Sequence, residues 1–332
     1  MSLRRALIGL LSLMALPLIW LTILAWPEPN VPATTELVRL RNAILISDSH
    51  VSDFSWHPNQ QPASFLSNDS APPIQMTQWL AQLPKQENDW LQIISIAENL
   101  RARGPKGGGL QTNTQDAFQR IISSGEGYCA DYIQVINALA YAAGIPAREW
   151  GMSFDGFGGW GHAFSEFYSN YFQKWVFVDV FNGFYVTAEG NETPLSVQEF
   201  RQHLARAPQA LTIHRLQQGR FGMRSDQIAM DYYQRGVNQF YLWWGTNSLS
   251  FDHHPLVAAA GRLSRSLEQL IAIGVGLHPE IRIIALPENV ALIARMQRLK
   301  YQLYCIVVSE LLLLLAAIAV VITIKRKNAR RT

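Results

Sequence analysis

The chain has 332 residues, 48% hydrophobic and 16% charged. That composition excludes a disordered polar chain, and the length allows one or two domains with a packed core. The net charge is +3, but Arg4, Arg5, Lys325, Arg326, Lys327, Arg330 and Arg331 all lie in residues 1–5 and 325–332. Without those seven cations the rest carries −4, which makes nucleic acid a poor partner because its binding is driven by phosphate neutralisation.

Residues 6–26 carry no charge and suffice to cross about 30 Å of hydrocarbon, with Trp26 at the far interface. A cleaved signal peptide is the competing reading. The run is long for one, and no small-x-small site precedes Pro27 and Pro29, so an uncleaved anchor is expected over 1–27. Residues 28–72 read as loop-rich, with one short strand near 43–47. Helical patterns follow near 74–83, 88–103 and 113–123, and the glycine-rich run 104–109 is a flexible link. Ile133, Ile136, Leu139, Ala140 and Ala143 mark one face of a helix over 129–143, closed by Gly144 and Pro146. Strand-like runs occupy 147–153, 162–169 and 174–180. Helical patterns return at 196–206, 226–240, 257–273 and 287–302, the last poised to run on into a second span. That span, 303–324, contains Glu310 and stops at Lys325-Arg326-Lys327. Both cationic tails should stay cytoplasmic, which places 28–302 outside.

Cys305 falls in the second span, so Cys129 is the lone cysteine of the body and no disulfide can form there. A buried small hydrophobe is the usual fate of such a thiol. Here, however, Gly125 and Gly127 precede it in a tight loop and a helix begins at or near it. The positive end of the helix dipole favours thiolate, the nucleophilic form. Downstream, a turn centred on Asn170-Tyr171 would join the strands holding His162 and Asp179. With an even loop there, Ser169 pairs with Phe172, Phe164 with Phe177 and His162 with Asp179, setting carboxylate beside imidazole. A bulge or an odd loop would break that register. Taken singly, His162 is an ordinary strand-edge histidine and Asp179 a strand-end turn residue. Together with Cys129 they form the nucleophile, base and orienting acid of a catalytic triad.

Other motifs fail their context. Gly156 to Gly161 spells G-x-G-x-x-G, but a strand follows where a dinucleotide site needs a helix. As a flexible loop beside His162 it would instead help to admit substrate. Residues 104–109 lack the Lys-Ser/Thr ending of a phosphate loop. Asp252, His253 and His254 have no further ligand at a recognised spacing, and a surface loop is the better reading. The Phe240–Trp244 aromatic run reads as core packing, with membrane-interface contact as the alternative. Sequons at Asn68 and Asn191 matter only in a glycosylating host. Neither cofactor nor metal is expected.

Four blocks in order resemble the transglutaminase-like core: Gly127-Tyr-Cys129-Ala-Asp-Tyr132; Ala138 to Gly144-Ile-Pro-Ala-Arg148; Gly161-His162-Ala-Phe-Ser-Glu166-Phe-Tyr168; and Trp175-Val-Phe-Val-Asp179. The resemblance implies a papain-like α+β fold, with an antiparallel sheet and a nucleophile helix; the apolar stretches add flanking N- and C-terminal transmembrane helices. It also implies that Cys129 is the nucleophile, His162 the base and acid, and Asp179 the orienter. The Val180-Phe181-Asn182 sequence after Asp179 departs from the family's usual Pro or Ala followed by Thr. For the oxyanion donor the candidates are Trp90, Gln111 and the Cys129 backbone N–H. The expected organisation is an anchor over 1–27, an N-terminal region over 28–110, a catalytic core over 111–187, a helical region over 188–302, a span over 303–324 and a basic tail over 325–332. The expected function is a membrane-anchored cysteine acyltransferase or peptidase that attacks carboxamide or peptide carbonyls. Its expected partners are a protein or peptide substrate, membrane lipid and, by resemblance, envelope or polysaccharide export proteins. The alternative is a non-catalytic binding or assembly module of such a system.

Overall fold

The computed structural model describes residues 3–26, 33–108, 112–216 and 223–329. The chain divides into two compact units, one of residues 1–46, 155–160 and 287–332 and the other of 47–154 and 161–286.

The first unit is built on helices α1 (Leu3–Leu24), α2 (Ala33–Leu45) and α12 (Val290–Ala329). Among the described residues, two helices are long and apolar enough to cross a membrane, within Arg5–Leu24 and Pro287–Ala329. They pack on one another yet leave Leu11, Leu16, Trp20, Leu311, Leu312 and Leu315 exposed. At 40 residues α12 is roughly 60 Å long, twice a hydrocarbon layer; its first turns carry Arg295, Arg298 and Lys300, and no break separates them from the apolar stretch. Helix α2 lies where the sequence reads as loop with a strand at 43–47. Its polar residues are the reason, because they serve buried contacts. Arg39 is ion-paired to Glu36 at 2.5 Å and donates to the Asp155 carbonyl at 2.8 Å, and the Asn42 amide donates to the Phe157 carbonyl at 2.8 Å. The 155–160 loop, read as flexible from its glycines, is thus tied to α2.

The second unit is α+β. Strands β1 (Ala147–Ser153), β2 (Gly161–Ser169), β3 (Lys174–Val178), β6 (Phe240–Trp243) and β7 (Ile281–Ile283) run antiparallel in the order β7-β6-β1-β2-β3. Strands β4 (Phe184–Ala188) and β5 (Leu211–Arg215) pair separately. On one face lies α6 (Cys129–Ala142), packed on β1 and β2 and surrounded by α3 (Ile74–Ala81), α4 (Asp89–Leu100) and α5 (Thr114–Ser124). Ile93, Phe118, Ile133, Ile136, Phe167, Val176 and Val178 share that core. The other face is aromatic, with Trp150, Phe164, Phe177 and Phe240 packed with Phe200 of α7 (Val197–Arg206) and Tyr233 of α8 (Asp226–Gln234). Alternation with period two sends neighbouring strand residues to opposite cores.

Residues 188–302, read as helical, also supply β6 and β7 to the central sheet. Within the Phe240–Trp244 run, Phe240–Trp243 is a strand of the central sheet with Phe240, Tyr241 and Leu242 buried and Trp243 half-buried, because four or five consecutive apolar residues suit a covered strand as well as a buried helix. The helix pattern at 257–273 is two helices, α10 (Pro255–Gly261) and α11 (Arg265–Gly274), preceded by a short α9 (Ser248–His253). Pro255 restarts the chain and the Ser264 hydroxyl caps the last of them by accepting the Leu267 N–H. Asp252 accepts the Thr114 N–H at 2.7 Å, at the start of α5.

The aromatic face contains a fully buried ion pair. Glu166 accepts from the Arg148 guanidinium, from Trp150 Nε1 at 2.8 Å and from the Val197 N–H at 2.9 Å. The guanidinium lies over the Trp175 ring at 4.0 Å. Removing one member of such a pair strands the other charge in a dry core. Glu166→Ala should lower unfolding stability by about 3–5 kcal/mol, read as the shift in denaturant midpoint of the detergent-solubilised protein; an unchanged midpoint would contradict this role.

Candidate active site

Cys129 is the first residue of α6 and is half-buried. The approach to it is fixed by Gly125, which ends α5 in the left-handed conformation at φ +77°, where a side chain would also strike the Gly104 carbonyl. The Tyr128 N–H donates to Asp131 Oδ2 at 2.8 Å, and Arg120 pairs with Asp131 Oδ1 at 3.2 Å. Burial raises the Asp131 pKa, against the Tyr128 N–H and the nearby arginines, which lower it.

His162 is the second residue of β2, and Asp179 follows the last residue of β3. Both are buried, and His162 Nε2 lies 2.8 Å from Asp179 Oδ2. The ladder that brings them together is not the register read from the sequence. Ser165 pairs with Val178, Glu166 with Phe177 and Ser169 with Lys174, two residues away from the expected alignment. The connection is a four-residue loop, 170–173, in which Gln173 takes φ +54°. Asp89 at the start of α4 gathers it, accepting from the Asn170 N–H, from the Tyr171 N–H at 3.2 Å and from the Ser169 hydroxyl at 3.1 Å. A two-residue slip leaves every side chain on its own face. His162 and Asp179 therefore still meet, diagonally rather than directly opposite.

Asp179 sits in a tight turn of its own. Its carbonyl accepts the Gly183 and Phe184 N–H groups, and its Oδ1 accepts the Asn182 N–H at 3.0 Å. Oδ2 accepts from His162, from Asn182 Nδ2 at 2.7 Å and from the Tyr233 hydroxyl. Beneath the turn, fully buried Arg101 donates to the Val180 and Phe181 carbonyls at 2.5 and 2.8 Å. Its pKa is lowered to about 10 by burial, against the Asp179 charge, which raises it. Gly183, at φ +76°, leaves room for that guanidinium; any Cβ there would collide with it.

Burial opposes charge on Asp179, but the His162 charge and hydrogen bond, the Asn182 N–H and the Tyr233 hydroxyl outweigh it, and its pKa is lowered. Burial likewise opposes charge on His162. The Asp179 charge foremost, then Tyr232, Cys129 and the Asp179 hydrogen bond, overcome it and raise the pKa well above 6.5. The imidazole ring lies where the two cores meet, with the Phe164 and Phe181 centroids each at 6.1 Å and Tyr232 edge-on at 5.7 Å.

Of the candidate oxyanion donors, Trp90 is the second residue of α4, buried edge-on against Phe172 and Tyr185. Gln111 lies outside the described residues. Sequence reasoning did not find Arg101, Asn182, Tyr232 or Tyr233. Asn182 had a signal in the unusual Val180-Phe181-Asn182 sequence; the others had none, being remote in the chain from the residues they serve.

Residues 82–180 match the model of the transglutaminase-like superfamily. The chain carries a transglutaminase-like domain. The match takes in Cys129, His162 and Asp179 and ends one residue after Asp179. Members of the superfamily commonly work through a catalytic cysteine. No curated protein and no solved structure matches the chain.

The two shifts give the pair's own contribution to stability a defined dependence on pH. His162 binds its proton more tightly folded than unfolded, so its contribution is complete below about 6.5 and lost as pH rises through the folded value. Asp179 contributes fully above about 4, and its share is lost as pH falls through the folded value. The pair therefore stabilises most between about pH 4 and 6.5. Thermal unfolding of wild type and Asp179→Asn should differ most near pH 5–6, with the gap narrowing as pH rises past the folded His162 value. A gap independent of pH would contradict the ion pair.

Proposed function

We propose that this is a membrane-anchored cysteine enzyme that attacks a carboxamide or peptide carbonyl through Cys129, His162 and Asp179. The observation that carries the reading is the buried His162–Asp179 hydrogen bond, with the Cys129 charge among those acting on the same imidazole. A proton on Nε2, held toward the carboxylate, leaves Nδ1 to exchange with the thiol. The Cys129 thiolate adds to the carbonyl carbon, and the C–N bond breaks as the imidazolium passes its proton to the departing amine. A thioester remains. An amine or water then attacks it, His162 takes the proton from that nucleophile, and the thiolate leaves. An amine acceptor gives transfer; water gives deamidation or peptide hydrolysis. The Cys129 backbone N–H, at the start of α6, is the best-placed oxyanion donor of the three considered.

Substrates in this reading are secreted or cell-wall peptides and proteins. The cationic ends flanking two apolar helices favour cytoplasmic tails and an outward-facing domain, where envelope or polysaccharide export proteins are available as partners.

At pH 6, iodoacetamide should alkylate Cys129 at least about tenfold faster than a free thiol, and His162→Ala should abolish that advantage, with rates read by mass spectrometry. Equal rates in the two proteins would favour a binding module over an enzyme. A substrate acyl group trapped as a Cys129 thioester, identified by mass, would name the substrate. For topology, protease added to spheroplasts should digest residues 28–302, and full protection would overturn the orientation.

A further inference from the structure

Helix α8 lies beyond the segment matched by the superfamily, yet it completes the surroundings of the His162–Asp179 pair. Tyr233 is fully buried, its ring edge-on to His162 at 6.0 Å and packed on Phe177, Phe184 and Phe200. Its hydroxyl donates to Asp179 Oδ2, the oxygen that also faces His162 Nε2 and the Asn182 amide. A carboxylate oxygen offers two lone pairs, so three donors around it divide its charge between them.

We propose that Tyr233 is a positioning residue that shares Asp179 Oδ2 with His162 and so limits how tightly the carboxylate holds the imidazolium proton. The inference rests on His162 acting as the base and acid of the Cys129 reaction. In that reaction the imidazolium must surrender its proton to the departing amine. A carboxylate whose charge fell on the imidazole alone would retain that proton; a phenol donor draws part of the charge away. Burial first, and then the Asp179 charge, keep the Tyr233 hydroxyl protonated far above neutral pH, so it remains a donor over the working range. Other groups also face the pair. Cys129 approaches from α6, Arg101 from the end of α4, and Tyr232 from α8, with Arg235 behind it over the Phe154 ring at 4.5 Å. Tyr233 reaches the carboxylate directly, its hydroxyl donating to Oδ2 itself.

The test is the titration of the His162 ring by NMR of full-length protein in detergent micelles, the signal assigned by its loss in His162→Gln. Tyr233→Phe should raise the proton affinity of His162 about tenfold, one pH unit. Replacing Tyr233 with 3-fluorotyrosine, a stronger donor of nearly the same shape, should lower it. The second variant decides the matter if the first fails to fold. A purely structural tyrosine would change the melting temperature and leave both titrations where wild type has them, which would overturn the inference. The alkylation experiment keeps the two readings apart. Cys129 reactivity that depends on His162, with titrations unmoved by either variant, sinks the Tyr233 proposal alone. Titrations that move in opposite directions while Cys129 reactivity ignores His162 uphold the shared oxygen and remove the catalytic reading.

Discussion

A carboxylate held out of water demands donors, and in this domain the demand of Asp179 organises the chain around it. Desolvation would neutralise the group unless several hydrogen bonds and an opposite charge compensated. They come from four places: His162 at the start of β2, the backbone and side-chain amides of Asn182 in the adjoining turn, the hydroxyl of Tyr233 on α8, and the Arg101 cation beneath the turn. The turn itself closes only because Gly183 adopts a left-handed conformation over the Arg101 guanidinium. The imidazole takes its raised proton affinity chiefly from the Asp179 charge that these donors keep in place, and the chemistry proposed for Cys129 draws on it in turn.

The same solution recurs on the aromatic face, where Glu166 collects the Arg148 guanidinium, the Trp150 indole and the Val197 N–H. Both buried carboxylates are served from β1, β2 or the residues next to them, and both draw a donor from beyond β3. This is why the sheet and the elements after residue 180 form one unit. Residues 181–286 complete the charge compensation of a domain whose recognisable core ends earlier.

The two apolar helices belong to the other unit, where α2 holds the 155–160 loop through Arg39 and Asn42. That loop runs directly into Gly161 and His162.

Much of this was legible in the sequence because it is local. The two apolar stretches, the helix starting at or near Cys129 and the strands read at 147–153 and 162–169 rest on periodicity, glycine position and short motifs, which neighbouring residues fix. Tertiary structure decided what depends on distant partners. The hairpin register moved by two residues because Asp89, far earlier in the chain, captures its loop. Helix α2 formed where polar residues suggested coil because Arg39 and Asn42 found buried acceptors. The strands at 240–243 and 281–283 were settled by a place in the sheet rather than by their own pattern. Asn182, Tyr233 and Arg101 became part of the site only when folding set them against one carboxylate, and a hydrogen bond between residues 54 apart leaves no trace in the order of the chain.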